Sequence, residues 1–243
     1  MIAECDNKHK KSRALVVMAK APLVGSVKTR LCPSLTQAEA AAFYECLLED
    51  TVSQLWKFRA SDFWIAFAPE GEEYFRRRFM KGIDLLAQRG RDLGERLHHV
   101  FVDLFHKGYE EIVVVGSDSP AISLSTIAQT YEQLRGEGCD VVLGPSSDGG
   151  YYAIGLKRPL AELFHQIPWS TQDTLKSTLE RVRELGLKVE LLPPAYDIDV
   201  EEDLWRLWKD FGTSQEMKER APKTYAYLTR LLSKPSPDQR GRL

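Results

Sequence analysis

Apolar positions along this chain come at two spacings, and the two alternate. Short continuous runs have the length and β-branched or aromatic content of strands: Ala14 to Ala19, Asp62 to Ala68, Ile83 to Ala87, Ile112 to Val115, Cys139 to Gly144 and Leu187 to Leu192, with a further strand ending at Leu156. Between them lie stripes of helical period. The longest is opened by the capping box Thr36-Gln-Ala-Glu39 and runs to about Phe58, with Phe43, Leu47, Val52, Leu55 and Trp56 as its core face. Shorter helices are predicted over Glu72 to Lys81, up to about His106, over Leu124 to Arg135 and from Pro159. Another ends at Gly186 with Ser170 and Asp173 as its N-cap signal. Asp199 with Glu202 offers a capping box for a helix after the last strand, and Thr213 to Lys234 reads as helix broken at Pro222. Strands alternating with helices predict an α/β, doubly wound, mostly parallel sheet with helices on both faces. Ligands of such sheets bind at the C-terminal edge of the strands.

One run organises the rest. Ile112-Val-Val-Val115 reads as a strand buried on both faces, ended by Gly116 and prevented from continuing by Pro120. Asp118 is thereby carried to the ligand-binding edge. It either serves a ligand there or caps a turn, as Asp often does in such loops.

Composition narrows the class. A chain of 243 residues, 43% hydrophobic with its charges spread throughout, suits one large globular domain or one domain with an addition. We divide it into a disordered N-terminal arm (1–12), a main α/β unit (13–212) and a helical appendage with a tail (213–243). A net charge of −2 gives no support for a nucleic-acid-binding surface. Cys5, Cys32, Cys46 and Cys139 lie far apart and form no CxxC pair, which suits reduced thiols in a cytoplasm. The run Ala14 to Ala19 is too short for a signal sequence, and no stretch reaches the roughly 20 apolar residues of a membrane helix. His98, His99 and His106 lack acidic partners at ligand spacing and read as a solvated face.

The loops carry the chemistry. After the first strand, Lys20-Ala-Pro-Leu-Val-Gly-Ser-Val-Lys-Thr-Arg30 places Lys20, Lys28 and Arg30 around Gly25, a pattern that favours a phosphate cradle over a merely solvated loop. It is neither GxxxxGK[ST] nor GxGxxG. The segment Gln88 to Arg96 contacts a base or ribose, or is an ordinary strand-to-helix connection. Asp148-Gly-Gly150 lets backbone approach a ligand closely, or is a hairpin turn. Trp169 packs in the core or walls a pocket. No GxSxG surrounds Ser117, and no histidine sits near it in a motif. Cations facing separated carboxylates point to a polyphosphate neutralised partly by Lys and Arg and partly by a divalent ion, Mg²⁺ or Mn²⁺.

These residues carry a resemblance. VVMAKAPLVGSVKTRL, QRGRDLGERL, VVVGSDSP, PSSDGGYYAIGL, PWST and YDIDVEEDL, in that order over roughly residues 14–210, resemble the bacterial nucleotide-diphospho-sugar transferase-like family. That group, also called the radical-SAM/selenodomain-associated transferases, has a GT-A fold. The chain is more distantly similar to guanylyltransferases of the F420 and molybdenum-cofactor pathways. The resemblance implies nucleotide binding by Lys20, Pro22, Gly25, Lys28, Arg30, Asp92, Gly94 and Arg96. Substrate contacts are implied for Asp148, Gly149, Gly150, Tyr151, Trp169, Ser170 and Thr171. Catalytic roles fall to Asp118, Lys28 and Asp148, and a Mg²⁺ or Mn²⁺ ion to Asp118 with a late aspartate, Asp199, although Asp197 stands two residues away. Glycosyltransferases of this fold often carry DxD, whereas GSDSP supplies a single Asp, as nucleotidyltransferases do.

Three functions therefore stand open. The first is metal-dependent glycosyl transfer from a nucleotide-sugar to a small-molecule acceptor. The second is nucleotidyl transfer from an NTP to a phosphorylated acceptor, and the third is nucleotide sensing without turnover.

Overall fold

A computed structural model describes residues 13–32, 34–79, 82–120 and 122–233. The expected N-terminal arm, Cys5, Lys81 and the segment 234–243 lie outside the described residues. The first half of the chain builds β1 (Arg13–Ala19), α1 (Gln37–Leu55), β2 (Asp62–Phe67), α2 (Glu72–Arg78), β3 (Asp84–Ala87), α3 (Leu93–His106) and β4 (Glu111–Gly116). The second half adds α4 (Leu124–Arg135), β5 (Val141–Pro145), β6 (Tyr151–Leu156), α5 (Thr174–Glu184), β7 (Val189–Leu191), α6 (Glu201–Thr213), α7 (Gln215–Arg220) and α8 (Pro222–Leu232). The seven strands form one sheet in the order β3-β2-β1-β4-β6-β5-β7. All run parallel except β6, which is antiparallel to both β4 and β5. Every parallel strand therefore ends at one edge, and the β5–β6 turn lies at that same edge.

Strand alternation sorts the core. Leu15 and Val17 of β1 and Val113 and Val115 of β4 face one apolar layer, while Ala14, Val16, Ile112 and Val114 face the other. Helix α1 serves two clusters at once. Tyr44, Leu48, Val52 and Leu55 pack on the sheet, and Phe43 and Leu47 pack against Leu204, Leu207, Phe211 and Leu228 of the C-terminal helices. Its capping box is formed as expected, with Glu39 N donating to Thr36 Oγ1 at 3.2 Å and Thr36 N to Glu39 Oε2 at 3.1 Å. Buried Asp50 of α1 accepts from Thr224 N (2.7 Å), Thr224 Oγ1 (2.8 Å) and Lys223 N (3.2 Å). A carboxylate distant in sequence thus caps the N-terminus of α8.

Two expected caps are corrected. Helix α5 begins at Thr174, and Ser170 stands outside it with a positive φ of 62°. Asp173 stands at the N-cap position but its side chain makes no capping hydrogen bond; Thr171 Oγ1 holds the preceding turn, donating to Pro168 O at 2.8 Å and accepting from Asp173 N at 3.2 Å. At α6 the cap is Asp203, whose Oδ2 accepts from both Asp199 N and Val200 N at 2.9 Å. Neither Asp199 nor Glu202 caps that helix, and the Asp199 carboxylate is left for other partners. The other end of α5 follows expectation, with Gly186 in the left-handed region just beyond it.

Candidate functional site

The loop after β1 returns to the strand edge through two left-handed residues, Gly25 (φ 80°) and Lys28 (φ 48°). This places the Lys28 ammonium 2.7 Å from Asp118 Oδ2 and 2.7 Å from Asp199 Oδ1. The Lys28 side chain is 5% exposed, against 29% and 34% for the two carboxylates. Burial alone would lower the Lys28 pKa, but the two adjacent carboxylates outweigh it and hold the ammonium protonated well above its ordinary value. Arg30, largely exposed, reaches Asp199 Oδ2 at 3.7 Å. Three residues drawn from the first loop, the end of β4 and the segment before α6 thus meet at one point.

A buried frame holds that point. Tyr44 of α1 accepts from Lys20 N at 3.1 Å and pairs with Ser117 Oγ at 2.9 Å, tying the first loop to the end of β4. Thr51 Oγ1 donates to Ser117 O at 3.3 Å. Gln88 Nε2 donates to Ala66 O at 2.6 Å and Ala19 O at 3.4 Å, joining the ends of β1 and β2. Asp197 accepts from Ser119 Oγ through Oδ1 and from Ser146 Oγ through Oδ2 at 3.0 Å. Burial first, and Asp118 second, push its carboxyl up to about 7 against the opposing pull of the two hydroxyls. Tyr44, Gln88, Ser119 and Ser146 were not singled out from sequence. The only signal for them is a polar residue inside an otherwise apolar run or next to a strand end.

The β5–β6 turn is both a hairpin turn and part of this edge. Exposed Asp148 accepts from Gly150 N at 2.9 Å, and Gly149 (φ 88°) approaches α5, its carbonyl accepting from Leu175 N at 2.8 Å. Ser147 N donates to Ala195 O at 3.0 Å, so the turn is fastened to the segment carrying Asp197 and Asp199. Gly150 stands beside the Asp148 carboxylate it hydrogen-bonds.

The remaining expected positions fall into a second group. Asp92 caps α3, accepting from Glu95 N at 2.8 Å. Gly94, in the first turn of α3, lies under Trp169; a Cβ there would sit 2.1 Å from the indole Nε1. Trp169 stacks on Phe164 with ring centroids 6.4 Å apart and meets Tyr151 edge-on at 6.3 Å. The Tyr151 hydroxyl is buried, and burial raises its pKa. Tyr151 is thus a packing residue of the wall rather than a presented hydroxyl. Arg96 Nε donates to Gly90 O at 3.2 Å. Lys20, Ser170 and Thr171 are exposed and Pro22 is half-buried.

Asp118 and Asp199 converge on a single cation position, which Lys28 Nζ fills. Mg²⁺ is commonly held by one or two protein carboxylates together with substrate phosphates, so the donor set of Asp118 and Asp199 fits such an ion. Among the described residues no group of three or more His, Cys, Asp or Glu forms a metal cluster. Nor is any helix among them long and apolar enough to cross a membrane.

Known proteins bear on this geometry. The family described as "Uncharacterized protein conserved in bacteria (DUF2064)" matches residues 51–171, which include β4, Asp118 and the Asp148 turn. A provisionally assigned nucleotide-diphospho-sugar transferase from Desulfovibrio desulfuricans G20 is 29% identical. The match covers 90% of this chain and 94% of that one, with a TM-score of 0.81. The resemblance read from the sequence is borne out. Two more distant structures share the fold. One is Rv0371c of Mycobacterium tuberculosis H37Rv in complex with manganese (16% identity, 82% and 98% coverage, TM-score 0.52). The other is 4-diphosphocytidyl-2C-methyl-D-erythritol synthase of Anaerococcus prevotii DSM 20548 (13% identity, 91% and 100% coverage, TM-score 0.54). No curated protein matches the chain. The fold is α/β and GT-A-like, as expected.

Proposed function

We propose that the protein is a metal-dependent transferase that binds a nucleotide-sugar at the strand edge and moves its sugar to a small-molecule acceptor. The observation that carries this reading is the meeting of Lys28 with Asp118 and Asp199, at 2.7 Å each. It puts a buried cation and two carboxylates at the edge where α/β sheets bind ligands. The likeness to the Desulfovibrio desulfuricans G20 protein supports a nucleotide-sugar as the donor.

In this reading Lys28 and Arg30 bind the diphosphate by charge-assisted hydrogen bonds. They stabilise the negative charge that grows on it as the glycosidic bond breaks. Asp118 and Asp199 would hold the Mg²⁺ or Mn²⁺ ion, which when bound would neutralise part of the same phosphate charge. The manganese complex of Rv0371c supports that choice of ion. The backbone of Gly25 follows the phosphates, and the Asp92–Arg96 segment with Pro22 and Lys20 borders the nucleoside. Asp148 orients sugar or acceptor, between the side-chain-free backbone of Gly149 and Gly150 and the wall formed by Tyr151, Trp169, Ser170 and Thr171.

A second reading, nucleotidyl transfer from an NTP, is favoured by one observation. The end of β4 presents a single aspartate, Asp118, rather than a DxD pair. Incubating the protein and Mn²⁺ with nucleotide-sugars, and separately with NTPs and sugar phosphates, distinguishes the two. Release of nucleoside diphosphate supports the first, and release of pyrophosphate the second. Asp118→Asn should abolish whichever activity appears while the protein stays folded. No release from any donor, with nucleotide still bound, would instead identify a sensing module.

A further inference from the structure

We propose that Lys28 is a resident cation of the Asp118/Asp199 pair, so that the divalent ion enters only as the Lys28 ammonium leaves for the nucleotide phosphates. This rests on the reading of Asp118 and Asp199 as metal ligands. It adds an order of events to that reading: phosphate and metal load most readily together, because Lys28 holds the converging carboxylate oxygens beforehand.

Three observations carry it. First, Lys28 Nζ stands 2.7 Å from one oxygen of each carboxylate, so it occupies the point where those oxygens converge. A Mg²⁺ ion held by the same oxygens at about 2.0–2.1 Å would overlap the ammonium, and like charges so close repel strongly. The two occupants therefore exclude each other. Second, the lysine is sequestered, its side chain 5% exposed, so in the free protein it is not displayed toward solvent as a waiting phosphate ligand. Third, its backbone is left-handed at φ 48°, a conformation uncommon for a lysine, and it precedes a short 3₁₀ turn at Thr29–Leu31. The chain accepts that geometry in the arrangement that aims Lys28 at the carboxylates. Arg30 reaches Asp199 at 3.7 Å and stays exposed, so it can meet a phosphate without vacating the metal position.

Exchange also balances charge. With Lys28 in place, the two carboxylates face one buried ammonium and the exposed guanidinium. When an anionic diphosphate draws Lys28 away, the carboxylates lose their counter-ion and a dication replaces it. A lone phosphate group without metal would strand two unpaired carboxylates, and a metal without phosphate would strand the buried ammonium. Each event alone is therefore opposed, and the two together are not.

The test uses the full chain, Mn²⁺ alone, and Mn²⁺ with inorganic pyrophosphate. Free Mn²⁺ is followed by electron paramagnetic resonance, and lysine reactivity by brief acetylation mapped by mass spectrometry. The expected result is weak Mn²⁺ binding to the native protein, tightened about tenfold or more by Lys28→Met. In the native protein Lys28 should acetylate slowly beside exposed Lys20, and Mn²⁺ at saturating concentration should raise its rate several-fold with Lys20 unchanged. The acetylation arm needs no variant and keeps the test decisive if Lys28→Met misfolds. Pyrophosphate should tighten Mn²⁺ binding more in the native protein than in Lys28→Met. Equal Mn²⁺ affinity in both proteins, with Lys28 labelling unmoved by bound Mn²⁺, overturns the exchange and leaves the metal site standing. Absence of Mn²⁺ binding in both proteins, with and without pyrophosphate, overturns the metal reading and the exchange with it.

Discussion

Gly94→Ala asks whether the α3 N-terminus and the Trp169 segment form one rigid wall. In the interior of a helix, alanine is ordinarily better than glycine by about 1 kcal/mol, and in the first turn by less. Here the added Cβ would lie 2.1 Å from Trp169 Nε1 and 2.4 Å from its Cε2, so the indole must move. It is not free to do so, being stacked on Phe164 and set against Tyr151. Overpacking of this kind costs about 1–3 kcal/mol, which outweighs the propensity gain. The expected net loss is about 1–2 kcal/mol. In a Trp169→Leu background the obstruction is gone, and the same substitution should become neutral or slightly stabilising. Urea unfolding of the native protein, both single variants and the double variant measures this as a double-mutant cycle, with an expected coupling of about 1–3 kcal/mol. If Gly94→Ala has the same effect in both backgrounds, Trp169 does not lean on α3 and the wall is not a unit.

Other outcomes follow from the same geometry. Asp50→Ala should destabilise the protein by several kcal/mol, since it orphans the buried donors at the start of α8 at about 1–3 kcal/mol each. Chemical denaturation checks it, and a loss under about 1 kcal/mol would mean water replaces the carboxylate. Lys28→Ala should weaken binding of nucleotide by about 1.5–3 kcal/mol. Arg30→Ala should weaken it less, because an exposed guanidinium is screened; calorimetry showing the reverse order would place the phosphates nearer Arg30. Asp148→Ala should lower kcat more than nucleotide affinity, and equal loss of both would move Asp148 onto the nucleotide.

Much of the architecture was legible from the sequence because buried parallel strands cannot hide. Runs such as Leu15 to Val17 and Ile112 to Val115 have no other reading at that length, and they carry the sheet and its ligand-binding edge. Loops were harder, because a carboxylate in a turn has several local partners. Asp199 looked like a helix cap, yet Asp203 takes that role by accepting two backbone donors at 2.9 Å. Ser170 looked like another, but its left-handed backbone leaves it outside α5. The closure of Lys28 onto Asp118 and Asp199 spans 171 residues in its longer leg, and no periodicity reports a contact of that range. Asp197 was visible only as a neighbour of Asp199. What separates them is burial and the two serines, which depend on how three loops pack.

The double duty of α1 has a consequence for how the chain is made. Phe43 and Leu47 are fully buried in the finished protein, in a cluster begun by Leu31 and Leu35 but completed only by side chains from Leu204 to Leu228. At about 5–20 residues per second of synthesis, that face of the first helix waits on the order of 10–40 s for its cover. Every strand from β1 to β7 has emerged by then, and the sheet side of the same helix is already occupied. The growing polypeptide therefore carries a half-covered greasy stripe through most of its time on the ribosome. A chain released early, before α6, would keep that stripe permanently and stick to others like it.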